Sequence, residues 1–256
     1  MQHFIFDLDG TISNPEPGIL NGYKYTFPSL GLPTPDDSTL RSLIGPPLRM
    51  VFEDLYQQTP EKATEAIATY RVYYNQLGGA FENELYEGML DLIESLAQLQ
   101  KTLHIATHKG AMADEILKHF NIRHYFNQLQ HYNEEKNIVT KEKMIELILE
   151  DENISQLNQT VMIGDRHSDI EAAKYTGIKS IGVTYGFGTR KEIEDSKPDY
   201  IANNVAELHT LLHQIWLSFR SLGNRLKAAC IFFILKFILN DAKQSLIEFK
   251  KCFYFA

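Results

Sequence analysis

The sequence predicts an α/β fold, a parallel sheet wrapped by helices with a block of helices inserted after the first strand. Three observations predict it. Short apolar runs alternate with amphipathic helical stretches, the pattern of strands returned by crossover helices. The main apolar runs end in small or polar residues, where open α/β sheets place their ligand sites. Between Asn14 and Glu82 no strand-like run appears, only helical patterns broken by turns.

His3–Phe6 reads as the first strand and ends in Asp7-Leu8-Asp9-Gly10-Thr11. Helical patterns follow at 17–30, 37–43, 47–58 and 61–77, separated by Gly31-Leu32-Pro33, Gly45-Pro46-Pro47 and Thr59-Pro60, because Gly and Pro punctuate helices. About seventy residues is far beyond an ordinary connection, so residues 14–82 are expected to form a helical module over the active face. A helix at 88–100 leads to the second strand, Leu103–Ala106, which runs into Thr107-His108-Lys109-Gly110. Helices at 111–120 and 141–152 precede the third strand, Thr160–Ile163; in the latter helix Met144, Ile145, Ile148 and Leu149 share one face. Gly164-Asp165 closes that strand and a helix at 168–176 follows. Ser180–Val183 is the fourth strand, Asp199-Tyr200-Ile201 a short fifth, and Val205 to Leu212 a last helix. The expected division is a core of residues 1–13 and 83–213 with the module 14–82 set into it.

Composition narrows the class. Over 256 residues, 44% hydrophobic and 23% charged content suits a globular chain with a sizeable core, and 15 Gly with 9 Pro exclude low-complexity and fibrous chains. A net charge of −8 argues against an electrostatic grip on nucleic-acid phosphates. An anionic substrate must then be met by a local site or a metal. Two cysteines, Cys230 and Cys252, fit a reducing compartment. The opening residues lack a cationic stretch and carboxylates interrupt their apolar run, unlike a secretory signal. The apolar run Ala228–Leu235 is shorter than the ~20 residues of a membrane span. The expected location is cytoplasmic, with no membrane attachment for the core, as a monomer or homodimer.

Residues 214–256 differ in kind. They carry a net +5 against −13 for the rest, and hold both cysteines and the single tryptophan, Trp216. Three readings stand: a helix docked on the core or a second subunit, a basic amphipathic membrane-surface segment, or an atypical extension from a shifted or read-through frame. The last explains the abrupt shift most simply, and the tail is expected to be dispensable for catalysis.

The chemistry lies at the strand ends. Asp7 and Asp9, two apart on an extended strand, point to the same side and can converge on one ligand; a solvated turn reads as well for the pair alone. Gly10 and Thr11 suit a sharp turn and its freed backbone groups. Thr107 offers a hydroxyl at a helix start, an anion cradle, and equally an N-cap. Lys141 opens a helix, where a solvated lysine is the ordinary state. Gly164-Asp165-Arg166-His167-Ser168-Asp169 adds two carboxylates. Acids gathered in one cleft repel unless a cation neutralises them. Magnesium suits such an all-oxygen site, whereas zinc would want cysteine or paired histidine.

Asp7-Leu8-Asp9-Gly10-Thr11, Thr107, Lys141 and Gly164-Asp165-x-x-x-Asp169 resemble the four ordered motifs of the haloacid dehalogenase superfamily, over roughly residues 3–212. The spacing resembles the branch with a helical cap between the first two motifs. Ile44-Gly45-Pro46-Pro47-Leu48 and Gly164-Asp165-Arg166 look like the phosphoglycolate phosphatase and 5′-nucleotidase-like members. The resemblance implies a Rossmann-like core and a magnesium-dependent phosphatase acting on a small phosphorylated substrate. It implies Asp7 as nucleophile forming an aspartyl phosphate, and Asp9 as the acid and base. Thr107 and Lys141 would hold the phosphoryl oxygens, with His108 carried beside them. Asp7, the Asp9 carbonyl and Asp165 would coordinate magnesium, with Asp169 steadying that shell or Lys141. Members often have a small residue at the position of His108, which either touches phosphate or fills space, the latter being favoured. Lys143 is the alternative to Lys141, but Lys141 leaves Met144 and Ile145 where the family's apolar pair falls. The carboxyl of Asp9 separates the chain from true dehalogenases. Alternatives are a sugar phosphomutase, a receiver-type signalling domain, which needs no cap, and a non-catalytic phosphate-binding protein on the same fold. Arg49, Arg71, Tyr73 and Tyr74 lie in the cap without a role that sequence assigns.

Overall fold

The computed structural model describes residues 1–44 and 48–214. Gly45-Pro46-Pro47, and the tail from residue 215 on which the three readings turn, lie outside the described residues.

Strand β1 (His3–Phe6) takes a central place because Phe4, Ile5 and Phe6 favour a strand and are buried on both faces of the sheet. It pairs in parallel with β4 (Thr102–Thr107) on one side and β6 (Thr160–Gly164) on the other. Outside these lie β5 (Phe126–His131), β7 (Lys179–Val183) and β8 (Tyr200–Ala202), giving a six-stranded parallel sheet in the order β5-β4-β1-β6-β7-β8. The alternation of strand side chains sends Ile5, Ala106 and Met162 to one face. There they meet Met144, Ile145 and Ile148 of α7 (Lys141–Asp151) and Ala172 and Ala173 of α8 (His167–Thr176). Phe4 and Phe6 face the other way, and the Phe6 ring meets Phe126 edge-on at 6.4 Å. Each such side chain contributes about 1.5–3 kcal/mol on burial. Helices α5 (Met89–Gln98) and α6 (Met112–His119) complete the wrapping, and another helix begins at Val205.

Five strands fall where the sequence places them, to within a residue or so. β5 is the addition: its Phe-Asn-Gln-Leu-Gln-His run buries only Phe126, as an edge strand does. Helix α9 (Arg190–Asp195), short and charged, was also not expected. Among the buried polar residues of the sheet, one is an imidazole. His104 on β4 is fully buried, stacks on His3 at 5.8 Å, and has no hydrogen-bond partner for either ring nitrogen among the described residues. Burial, then the neighbouring His3, pushes its imidazole down to about 3.

Between Asn14 and Glu84 the described residues hold helices only. They are α1 (Glu16–Thr26), α2 (Asp37–Ser42), α3 (Leu48–Met50), which runs on as wide helical turns to Leu55, and α4 (Pro60–Gln76). Thr59 caps α4 by accepting from the Lys62 amide, with Pro60 in the first turn where its missing N–H costs nothing. Helix α1 packs on α4 around Tyr23, Phe27, Phe52 and Tyr70. Where the chain enters and leaves this block, β2 (Ser13–Asn14) and β3 (Glu84–Leu85) pair antiparallel. Two-residue strands carry no periodicity, so sequence could not reveal them. Among the described residues no helix is long and apolar enough to cross a membrane.

Candidate active site

The carboxyl ends of β1, β4 and β6 bring the sequence candidates together. After Phe6 the chain turns sharply, with the amides of Thr11, Ile12 and Ser13 all donating to the Leu8 carbonyl. Gly10 permits this turn at φ +79°, and a Cβ there would stand 2.2 Å from the Asp165 carboxylate. Only glycine allows both. The Asp7 carboxylate accepts from the Leu8 amide at 2.7 Å and meets the Lys141 ammonium at 3.0 Å.

Lys141 is 2% exposed, at the start of α7, and all its ammonium hydrogens have acceptors: Asp7, Asp169 at 2.9 Å and the Ala106 carbonyl at 2.9 Å. Burial opposes its charge, but Asp169 and Asp7 outweigh burial and hold it above its ordinary value. Lys143 instead is half-buried and pairs with Glu146 along the helix. Asp169 in the first turn of α8 also accepts from the Arg166 amide at 3.1 Å. Its carboxylate approaches so closely that a Cβ on Gly164 would lie 2.1 Å from it. Asp165 accepts from the Phe187 amide at 2.7 Å, and the Thr11 hydroxyl lies 3.5 Å from it.

Oxygens of Asp7, Asp165 and Asp169 lie within 4.8 Å of one another. Burial, then Asp7 and Asp169, pushes the Asp165 carboxyl up to about 8. Three hard oxygen donors around one ammonium carry surplus negative charge that a dication would neutralise, so the residues fit a magnesium-type ion.

Asp7, Asp9 and Asp165 open into a cavity of about 450 Å³, with Thr107 and His108 on its wall. Thr107 is buried, and its hydroxyl accepts from the Lys109 amide at 3.2 Å. The His108 imidazole is held below its ordinary value, first by desolvation in the cleft and then by Lys141. Lys141, Asp169, Gly10 and Thr11 stand behind this surface rather than on it. A larger hollow of about 680 Å³, lined by Tyr86, Asp91 and Tyr185, contains none of these carboxylates.

Sequence reasoning missed one member. The Lys109 ammonium meets Asp9 at 2.7 Å and lies over the Tyr74 ring of α4, 4.7 Å from its centroid, a cation–π contact. The signal was its place two residues after Thr107 at a strand end. Burial raises Asp9, with Lys109 opposing, and one Asp9 oxygen is buried without a partner among the described residues. Of the residues singled out in the helical insert, Arg71 and Tyr74 line the cavity. Arg49 is held by Glu53 and Tyr73 by Glu82.

Residues 4–183 match the family model described as haloacid dehalogenase-like hydrolase. The chain belongs to the haloacid dehalogenase-like hydrolases. A 5′-nucleotidase of Pseudomonas aeruginosa is 33% identical over 211 residues, covering 82% of this chain and 95% of that one. A tyrosine-protein kinase, PtkA, of Mycobacterium tuberculosis is 29% identical over 82% of this chain and 71% of its own. A phosphoglycolate phosphatase of Vibrio cholerae is 24% identical over 79% and 93%. Among solved structures, the haloacid dehalogenase-like protein SP0104 of Streptococcus pneumoniae superposes with a TM-score of 0.74 at 32% identity, covering 83% of this chain and 98% of that one. Family and phosphatase relatives agree with the expectation of a hydrolytic enzyme of the phosphatase class, and the sheet with the Rossmann-like core.

Proposed function

We propose that this haloacid dehalogenase-like phosphatase hydrolyses a small phosphomonoester, phosphoglycolate-like or a nucleotide monophosphate, with magnesium and through an aspartyl phosphate on Asp7. One observation carries the reading: Asp7, Asp9, Asp165 and Thr107 all line one cavity, with oxygens of Asp7 and Asp165 within 4.8 Å of each other.

The Asp7 carboxylate attacks phosphorus, and the alcohol leaves with a proton from Asp9. Burial, which raises Asp9, suits it to carry that proton; afterwards it takes one from the water that attacks phosphorus, which breaks the bond to Asp7, frees inorganic phosphate and restores the Asp7 carboxylate. The Thr107 hydroxyl donates to a phosphoryl oxygen, His108 stands at the same wall, and Lys141 supplies positive charge beside the reacting oxygens. Asp169 and the Ala106 carbonyl fix Lys141, so its charge is in place before substrate arrives. Asp7, the Asp9 carbonyl and Asp165 would hold magnesium, which supplies charge neutralisation between carboxylates and phosphate. Residues 14–82 act as a cap over the core of 1–13 and 83–213, largely excluding water while the aspartyl phosphate forms.

The test is chemical trapping. Acid-quenched enzyme turning over an aryl phosphate should carry a phosphoryl adduct on the peptide containing Asp7. Asp7→Asn should abolish adduct and turnover, and a chelator should stop turnover until magnesium is restored. Ordinary turnover by folded Asp7→Asn would sink the assignment.

A further inference from the structure

The cavity has a second wall, and its polar groups come from one face of α4. Arg71, Tyr74 and Asn75 stand at spacings of three and four residues, which puts them on the same side of a helix, and all three line the cavity that the carboxylates open into. The lining cations differ in how they are occupied. Lys109 is taken by Asp9 at 2.7 Å, and Arg166 by Glu192 at 2.9 Å. Arg71 has no ion pair among the described residues. Beside it, the Tyr74 hydroxyl is buried with no hydrogen-bond partner among them. A guanidinium offers donors only, in a planar fork that matches a carboxylate or phosphate.

We infer that Arg71, with the Asn75 amide beside it on α4, is the specificity-determining group that binds a second anionic oxygen group, carboxylate or phosphate, on the leaving alcohol. The inference rests on the phosphomonoesterase reading and narrows it. A neutral leaving group would leave the Arg71 charge without a partner. An anionic one gains charge-assisted hydrogen bonds instead. The positive charge required is already spoken for at Lys109 and Arg166, so Arg71 is the group through which such an anion is read.

The experiment compares short alkyl phosphates that differ only at the far end, in carboxylate, phosphate or carboxamide, alongside an aryl phosphate and a nucleoside 5′-monophosphate. Wild-type kcat/KM should favour a charged end over carboxamide, and the carboxylate and phosphate arms identify which anion fits. In Arg71→Gln the charged-to-carboxamide ratio should fall roughly 10- to 100-fold, chiefly through KM, as expected for charge-assisted bonds. Arg71→Lys should recover part of it. Arg71 is exposed on α4, and circular dichroism checks that the variants fold. Equal turnover of carboxylate and carboxamide overturns the inference, as does a ratio unmoved in Arg71→Gln or a preference for the nucleoside monophosphate. If the aryl phosphate is cleaved without any charge preference, only this inference falls. If no phosphomonoester is cleaved, the phosphatase reading falls and takes it along.

Discussion

Replacing His104 with leucine should make the protein more resistant to acid. The imidazole is fully buried between β1 and β5, stacked on His3, and depressed to about 3 against an ordinary value of about 6.5. The sign follows from proton binding. The unfolded chain takes up a proton at His104 as pH falls through 6.5, while the folded chain does so only near 3. Stability is therefore lost from about pH 6.5 downward. At 1.36 kcal/mol per pH unit, moving from pH 7 to pH 5 costs the native state about 2 kcal/mol through this residue. Leucine removes the proton uptake, and with it two buried ring nitrogens that lack partners, each a penalty of roughly 1–3 kcal/mol. Urea denaturation of wild type and His104→Leu at pH 7 and pH 5 measures the effect. Leucine should be the more stable at both. The gap between midpoints should widen at pH 5 by about 1 M, taking ~2 kcal/mol per molar for the urea slope. A gap identical at the two pH values would refute the reasoning, as would a titration of His104 in the folded protein near 6.5.

Other outcomes follow from the site. Asp9→Asn should lower kcat on alkyl phosphates by about 10²–10⁴-fold and on activated aryl phosphates by much less, since their leaving groups need little protonation; the ratio of the two rates is the measurement. Lys141→Met should lose activity and about 3–5 kcal/mol of stability, because Asp7 and Asp169 then face each other without a cation. Thermal melts at pH 7.5 and pH 5 should show that loss shrinking on acidification, as the uncompensated carboxyls take up protons. Truncation after His213 should leave magnesium-dependent turnover unchanged, because the proposed site residues run only from Asp7 to Asp169; steady-state kinetics on the shortened chain check this.

How much was legible in the sequence depends on how local the cause was. His3–Phe6, Leu103–Ala106 and Thr160–Ile163 stand out because central parallel strands are buried on both faces and read as apolar runs. The edge position of β5 removes that requirement, so Asn127, Gln128 and Gln130 mask it. Asp7, Asp9, Asp165 and Asp169 are legible as strand-end carboxylates, and Lys141 only through the family resemblance, which sets Met144 and Ile145 where that family's apolar pair falls. The pairing of Lys109 with Asp9 spans 100 residues, and the contact of Lys109 with Tyr74 crosses from sheet to inserted helix. No local pattern encodes either. Arg71 was conspicuous as a charge, yet its distinction lies in what the neighbouring cations already hold.

The antiparallel pairing of Ser13 with Leu85 and Asn14 with Glu84 has a consequence for how such a chain diversifies. The two ends of a helical insert of about seventy residues emerge side by side, so the rest of the sheet bears no strain from the insert's size. Loop-closure entropy grows only logarithmically with length, by about 0.6 kcal/mol per doubling. Lengthening, shortening or exchanging the insert therefore alters what the cavity admits while leaving β1 and its aspartates in register. A graft at these four residues is the natural seam for transplanting selectivity between relatives.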